Sequence, residues 1–355
     1  MDWHLNAVLG VIMSLFLSLG AGTILSGVGV ADALMQPAKT YLQIVGGFCI
    51  LNALIPICSS YLRAFGFSKE PLYASIIGNV INFCLNAFFL FVLHKGVAGV
   101  ATATVISRII NLVIVVLLGA VLVKAKQHPE RESNRAVMGQ IIRIGLPSAC
   151  ETAIYNVSMT LVIRFLNQMD AQGLNVTARS YTMQITNFSY CVGAALAQAN
   201  AIMTGWHIGA KEYDACDRGT KKAAVIGVIV AVILETVFTL CSGWIMQLFS
   251  KDPQMVSLVG KLLAIDIVLE IGRVTNLVYG QALKTSGDAV FPVVMGACFM
   301  ILCSVGGTYL FGIRLGLLAV GAYIGMTGDE CVRAVGMYLR WKSGKWKEKG
   351  LVKSR

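Results

Sequence analysis

Stretches of about twenty consecutive apolar residues recur from one end of the chain to the other, beginning with "VLGVIMSLFLSLGAGTIL" at Val8. A run of that length, coiled as a helix, matches the hydrocarbon thickness of a bilayer. Barrel strands would instead alternate apolar and polar residues over roughly ten positions. With 56% hydrophobic and 13% charged residues and a mean hydropathy of +0.72, the apolar surface exceeds what one soluble core can hide. Lipid is the solvent this sequence requires.

The pattern predicts an all-α, polytopic membrane protein of about ten transmembrane helices. They fall near 4–30, 40–62, 71–94, 97–124, 141–166, 173–205, 219–249, 255–282, 289–312 and 316–341. The first run is read as a span rather than a cleaved signal, because Asp2 and His4 precede it in place of a basic segment.

One set of alternate loops carries most of the basic residues, among them Arg63, Lys69, Lys124, Arg135, Lys211, Lys221 and Lys284, and the tail "RWKSGKWKEKGLVKSR" adds more. The positive-inside bias therefore places both termini and the 124–143 string in the cytoplasm, as expected for a multi-pass protein of the inner (plasma) membrane. The formal charge of +11 is a topology signal on this reading. Nucleic acid is not expected as a partner, since the charge is split among loops and only Trp341 and Trp346 interleave it. Ten cysteines lie singly, without C-x-x-C spacing, and four histidines form no ligand pattern. Neither a P-loop nor G-x-S-x-G nor H-E-x-x-H occurs, so the sequence gives an enzyme no catalytic residues, and neither a cofactor nor a metal is expected.

"LRAFGFSKEP", from Leu62, and "LKTSGDAVFP", from Leu283, read as the same helix end, turn and helix start. Leucine, glycine and proline recur at one offset: 283 − 62, 287 − 66 and 292 − 71 all equal 221. Farther on, "KGVAGVATA" (95–103) falls near "LGLLAVGAY" (315–323). Six spans separate corresponding points, so the copies share one orientation, as in transporters built from two parallel halves. The offset leaves the second half's first two helices, 141–205, without counterparts. The expected organisation is an N-terminal lobe of four helices (1–124), a cytoplasmic linker (125–140), a C-terminal lobe of six (141–341) and a basic tail (342–355). A fragment, a late start or a true truncation each accounts for a first lobe lacking two helices.

At "YLRAFGFSKEPLYASIIGNVINFCLNAFFLFVLHKGVAGVATATVISR" (61–108), "IGLPSACE" (144–151), "IGAKEYDACDRGTKKA" (208–223) and "EIGRVTNLVYGQALKTSGDAVFP" (270–292), the chain resembles the multidrug and toxic compound extrusion (MATE) family, and its bacterial branch in particular. The resemblance implies export of cationic or amphipathic small molecules, driven by a sodium or proton gradient, through alternating access of two helical lobes. A lipid-linked saccharide flippase of a related transporter group, or a non-functional truncated fragment, is the alternative.

Candidate residues follow from the cost of polar groups at membrane depth, about 2.5–3.5 kcal/mol for a charge on insertion scales. Glu270 lies mid-span with Arg273 and Asn276 at successive turns of one face, and Asp266 one turn before. This spacing describes an ion-coupling site, and equally a structural pair that neutralises itself within the bundle. Glu151, after "GLP", is a further ion-coupling candidate through the resemblance; from the residues alone it reads as a first-turn acid meeting a helix dipole. Tyr155, Gln184, Asn187, Asn276, Asn82 and Asn86 could line a substrate pocket, although for any single amide interhelical hydrogen bonding is the simpler role. Glu235 has no charged or amide neighbour in "VAVILETVFTL".

Overall fold

The computed structural model describes residues 3–28, 32–124, 134–169 and 173–349, and they are helical almost throughout, without a strand among them. In chain order the helices are α1 (Trp3–Leu19), α2 (Ala21–Val28), α3 (Asp32–Gly47), α4 (Ile50–Ala64), α5 (Lys69–Ala87), α6 (Gly96–Lys124) and α7 (Asn134–Met169). They continue with α8 (Leu174–Gly209), α9 (Tyr213–Leu240), the short α10 (Ser242–Met246), α11 (Pro253–Thr285), α12 (Val290–Phe299) and α13 (Leu318–Lys342). Wider π-type turns extend α5 through Phe88–Val92 and α12 through Met300–Val305 and Thr308–Arg314. The first two expected spans are broken or bent: α1 stops before Gly20, and the stretches 35–47 and 50–64 meet at 42°.

Two compact units result, residues 1–138 and 139–355. In the first, α6 packs against α3, α4 and α5, and α1 packs against α3 and α4. In the second, α11 is central, with α8, α9 and α13 around it. Of the expected 125–140 linker, residues 125–133 lie outside the described residues, whereas 134–140 are already the first turns of α7. Helix α11 is started by Asp252, whose Oδ1 accepts from the Gln254 N–H at 2.9 Å, with Pro253 at the first helical position.

Burial is inverted relative to a soluble protein. Phe83, Phe91, Val121 and Leu240 point outward, while Glu235, Asp266 and Glu270 are buried. Among the described residues, four helical stretches are long and apolar enough to cross a bilayer by length and composition: 69–92, 96–123, 213–240 and 290–314. Helices α7, α8, α11 and α13 have 36, 36, 33 and 25 residues, ample length for a span, but their inner faces carry charged and amide side chains that dilute the hydropathy.

The duplicated string folds the same way twice. Gly66 and Gly287 take φ of +90° and +92°, a left-handed conformation that costs glycine little. The Phe67 N–H reaches the Leu62 carbonyl at 3.0 Å and the Asp288 N–H the Leu283 carbonyl at 2.9 Å. Gly66 to Arg63 and Gly287 to Lys284 repeat the inner bond at 3.0 and 3.1 Å, completing a Schellman closure in both copies. Past the next helix the repeat persists with a shifted offset. Leu93 to Phe88 and Lys95 to Phe89 match Leu315 to Leu310 and Leu317 to Phe311, with 315 − 93 and 317 − 95 both equal to 222. The second copy thus carries one additional residue between its two turns, and Gly99 corresponds to Gly321.

The elbow at Gly287 is covered by the end of α13 and the turn Lys345–Lys349. Asp288 accepts from Arg340 Nε and Lys349 Nζ, each at 2.7 Å, and Trp346 stacks on Trp341 with centroids 4.2 Å apart. Burial alone would raise the Asp288 pKa, but the two cations hold it below the ordinary aspartate range. Its contribution to stability is therefore fully present above the unfolded value of about 3.9 and is lost as pH falls through the lower folded value.

Helix α13 crosses the π-turned end of α12 through "GAYIG", in which Gly321 and Gly325 face backbone. A Cβ on Gly325 would stand 2.9 Å from the Cys303 carbonyl oxygen, the Gly307 carbonyl carbon and the Thr308 nitrogen, none of which can swing aside; one on Gly328 would meet nothing within 4 Å. Gly325→Ala should therefore destabilise the detergent-purified protein by about 1–3 kcal/mol, whereas Gly328→Ala should be neutral or stabilising. Equal melting temperatures for the two variants would contradict this crossing.

Candidate functional site

The second unit encloses a cavity of about 680 Å³ bounded by α7, α8, α11, α13 and the start of α12. Helical periodicity explains why α11 dominates it: Asp266, Arg273, Asn276, Gly280 and Lys284 recur at three, four or seven residues and line the same wall. Of the residues expected from sequence, Glu151, Tyr155, Asn187, Asp266, Arg273 and Asn276 line this one cavity. Glu270 sits behind them, fully buried, with Oε1 accepting from Arg273 Nη1.

The others fall elsewhere. Gln184 is on the exposed side of α8 and does not line the cavity. Asn82 and Asn86 belong to the first unit, where Asn82 donates to Ser107 Oγ at 3.2 Å and Asn86 donates to Asn82 Oδ1 at 3.0 Å. That chain ties α5 to α6, the simpler of the two roles open to these amides. Nor is Glu151 a first-turn acid: α7 starts at Asn134, seventeen residues earlier, and its dipole does not reach that far. Glu151 Oε2 instead accepts from Lys284 Nζ at 2.6 Å. Lys284, counted from sequence among the loop cations, thus turns into the cavity from the last turn of α11.

Three charged residues of α13 escaped the sequence reading as site residues, and they complete the electrostatics. Glu330 Oε1 lies 3.7 Å from Arg273 Nε and 2.9 Å from Arg333 Nη2, while Oε2 accepts from Asn276 at 3.0 Å. Arg333 also grips Asp329 with two bonds of 2.8 and 2.9 Å, and Ser304 donates to the same carboxylate at 2.9 Å. The resulting chain, Glu270–Arg273–Glu330–Arg333–Asp329, joins α11 to α13. Its signal was available in "GDECVR", two acids with an arginine at i+3 and i+4 inside a span, the rule that singled out Glu270. Close approach makes the chain possible, because Gly272 meets the backbone of Glu330 and Cys331.

Beyond that chain lies a second grouping. Glu235 of α9, isolated in sequence, comes together with Asp266 and Glu270, all three buried, with one carboxylate oxygen of each within 4.8 Å of the others. Both oxygens of Glu235, Oδ2 of Asp266 and Oε2 of Glu270 have no hydrogen-bond partner. Buried carboxylates so placed require compensating positive charge, from a bound cation or from protons. Asp266 belongs both to this cluster and to the cavity wall.

An all-α bundle with apolar side chains facing outward, wrapped around a polar cavity and a buried carboxylate cluster, has the architecture of a multi-pass membrane transporter. The family model MatE matches residues 2–88 and 147–310, more than half of the chain, and the chain belongs to the MATE family. It is 33% identical over 353 residues to the uncharacterized transporter YisQ of Bacillus subtilis, covering 98% of this chain and 77% of that one. It is 22% identical to a probable multidrug resistance protein NorM of Thermotoga maritima, over 96% of this chain and 76% of the relative. The fold matches a crystal structure of MATE in the straight conformation with a TM-score of 0.86 at 19% identity, over 97% of this chain and 78% of that chain.

If Arg273 and Glu330 act as one network, their substitutions will not add. The double variant Arg273→Gln, Glu330→Gln should be less destabilised than the sum of the single variants by about 0.5–3 kcal/mol in thermal denaturation. Additive losses would dissolve the network into separate pairs.

Proposed function

We propose that the protein is an antiporter that exports cationic or amphipathic small molecules through the C-terminal cavity, against sodium ions or protons bound at Glu235, Asp266 and Glu270. The observation that carries this reading is the double membership of Asp266. A cation or proton at the cluster and a positively charged substrate in the cavity would draw on the same carboxylate, so binding of one weakens the other. Reciprocal weakening of that kind is the thermodynamic requirement for exchange. Arg273 holds Glu270 Oε1 and leaves Oε2 free for the ion, which supports a coupling role for a group that is also structurally paired.

The cavity wall suits amphipathic molecules. Tyr155, Tyr190, Met183 and Met326 offer aromatic and polarizable surface beside the amides Asn156, Asn187 and Asn276. The basic loops and tail support an orientation in the inner membrane with both termini in the cytoplasm.

In proteoliposomes, an imposed sodium or proton gradient should drive movement of a cationic dye such as rhodamine 123. Glu270→Gln and Glu235→Gln should each abolish it while leaving the amount of reconstituted protein unchanged. Undiminished transport by Glu270→Gln would remove that residue from the coupling mechanism.

A further inference from the structure

Four cations line the cavity: Arg179, Arg273, Lys284 and Arg333. Three of them sit within 4 Å of a carboxylate: Arg273 by Glu270 and Glu330, Lys284 by Glu151, Arg333 by Asp329 and Glu330. Arg179 does not. It is 6% exposed, and among the described residues no carboxylate oxygen lies within ion-pair distance of it. Its Nη2 reaches only the Met159 sulfur, at 3.6 Å, and its Nε has no partner.

A guanidinium buried at this depth is costly unless its donors are met. Its five N–H groups form a planar fork whose best complement is a carboxylate or another oxyanion, taken by two parallel bonds. Among the described residues none supplies such a group within reach, but the cavity supplies room for one. On α11, Asp266 lines the same cavity and keeps one oxygen unpartnered. The cavity therefore presents one cation without a carboxylate partner and one carboxylate with a free oxygen, beside Tyr323 and Met326.

We propose that Arg179 is an anion-binding subsite and that the transported compounds are amphoteric: an amphipathic body carrying both a positive centre and a carboxylate or similar acidic group. The acid pairs with the Arg179 fork and the positive centre faces Asp266. This rests on the antiport reading above and narrows its substrate class. An acid-bearing substrate brings the counter-charge that Arg179 lacks, so it enters the cavity at lower electrostatic cost than a plain cation of the same shape.

Rhodamine 110 and rhodamine 123 test this directly, because the second is the methyl ester of the first and both carry the same cationic ring system. Binding of each to the full-length detergent-purified protein is measured by fluorescence anisotropy. The preference of the wild type for the free acid over the ester should exceed that of Arg179→Gln by about tenfold, the worth of one charge-assisted hydrogen bond. Arg179→Lys should keep part of that preference. On the unaltered protein, 1-naphthoate should displace rhodamine 110 and 1-naphthamide at the same concentration should not. An unchanged acid-to-ester preference in Arg179→Gln, equal displacement by the two naphthyl compounds, or a wild type that binds neither dye would overturn the proposal. Gradient-driven transport of the ester is scored separately, so loss of the antiport reading and loss of the anion subsite give different results.

Discussion

An ionised group placed at membrane depth needs a counter-charge from the protein or from what the protein binds, because lipid supplies none. The second unit is organised by that requirement. Glu270, Arg273, Glu330, Arg333 and Asp329 alternate in sign along a chain that joins α11 to α13, so each charge is matched on at least one side. Removing one member would leave its neighbour buried and unmatched, a costlier state than replacing the pair with apolar side chains. The chain therefore fixes the relative placement of two adjacent helices that both line the cavity.

Backbone geometry makes that chain possible. Gly272 lets α11 approach the backbone of α13 at Glu330, and Gly321 and Gly325 let α13 approach the end of α12. Where larger side chains would hold the helices apart, the carboxylates and guanidinium groups would be too distant to pair. The elbow between α11 and α12 is held in turn by Asp288 and the Trp341–Trp346 stack. Charge matching and close packing thus act on the same helices.

Much of this was legible in the sequence. Apolar runs gave the helices, and the offset of 221 gave two elbows closed by the same pair of Schellman hydrogen bonds. The spacing of Asp266, Glu270, Arg273 and Asn276 gave one face of one helix. What the sequence hid were relations between helices. Glu235 looked isolated because its neighbours, Asp266 and Glu270, are 31 and 35 positions away (266 − 235 and 270 − 235) on another span. Lys284 looked like a loop cation because its charge matched the topology rule, yet its partner, Glu151, lies on α7. Asn82 and Asn86 fitted a pocket pattern as well as a hydrogen-bond ladder, and only their partners distinguish the two. The hydropathy rule was weakest at α7, α8, α11 and α13, since polar side chains facing the cavity are what dilute their hydropathy.

The central claim is that the buried carboxylates and the cavity communicate through Asp266. It is tested most directly by measuring the affinity of the full-length protein for rhodamine 123 at equilibrium while sodium and proton concentrations are varied independently. The account predicts that at least one of the two ions competes with the dye, and that Asp266→Asn abolishes the competition. Dye affinity that is independent of both ions in the wild type would contradict it.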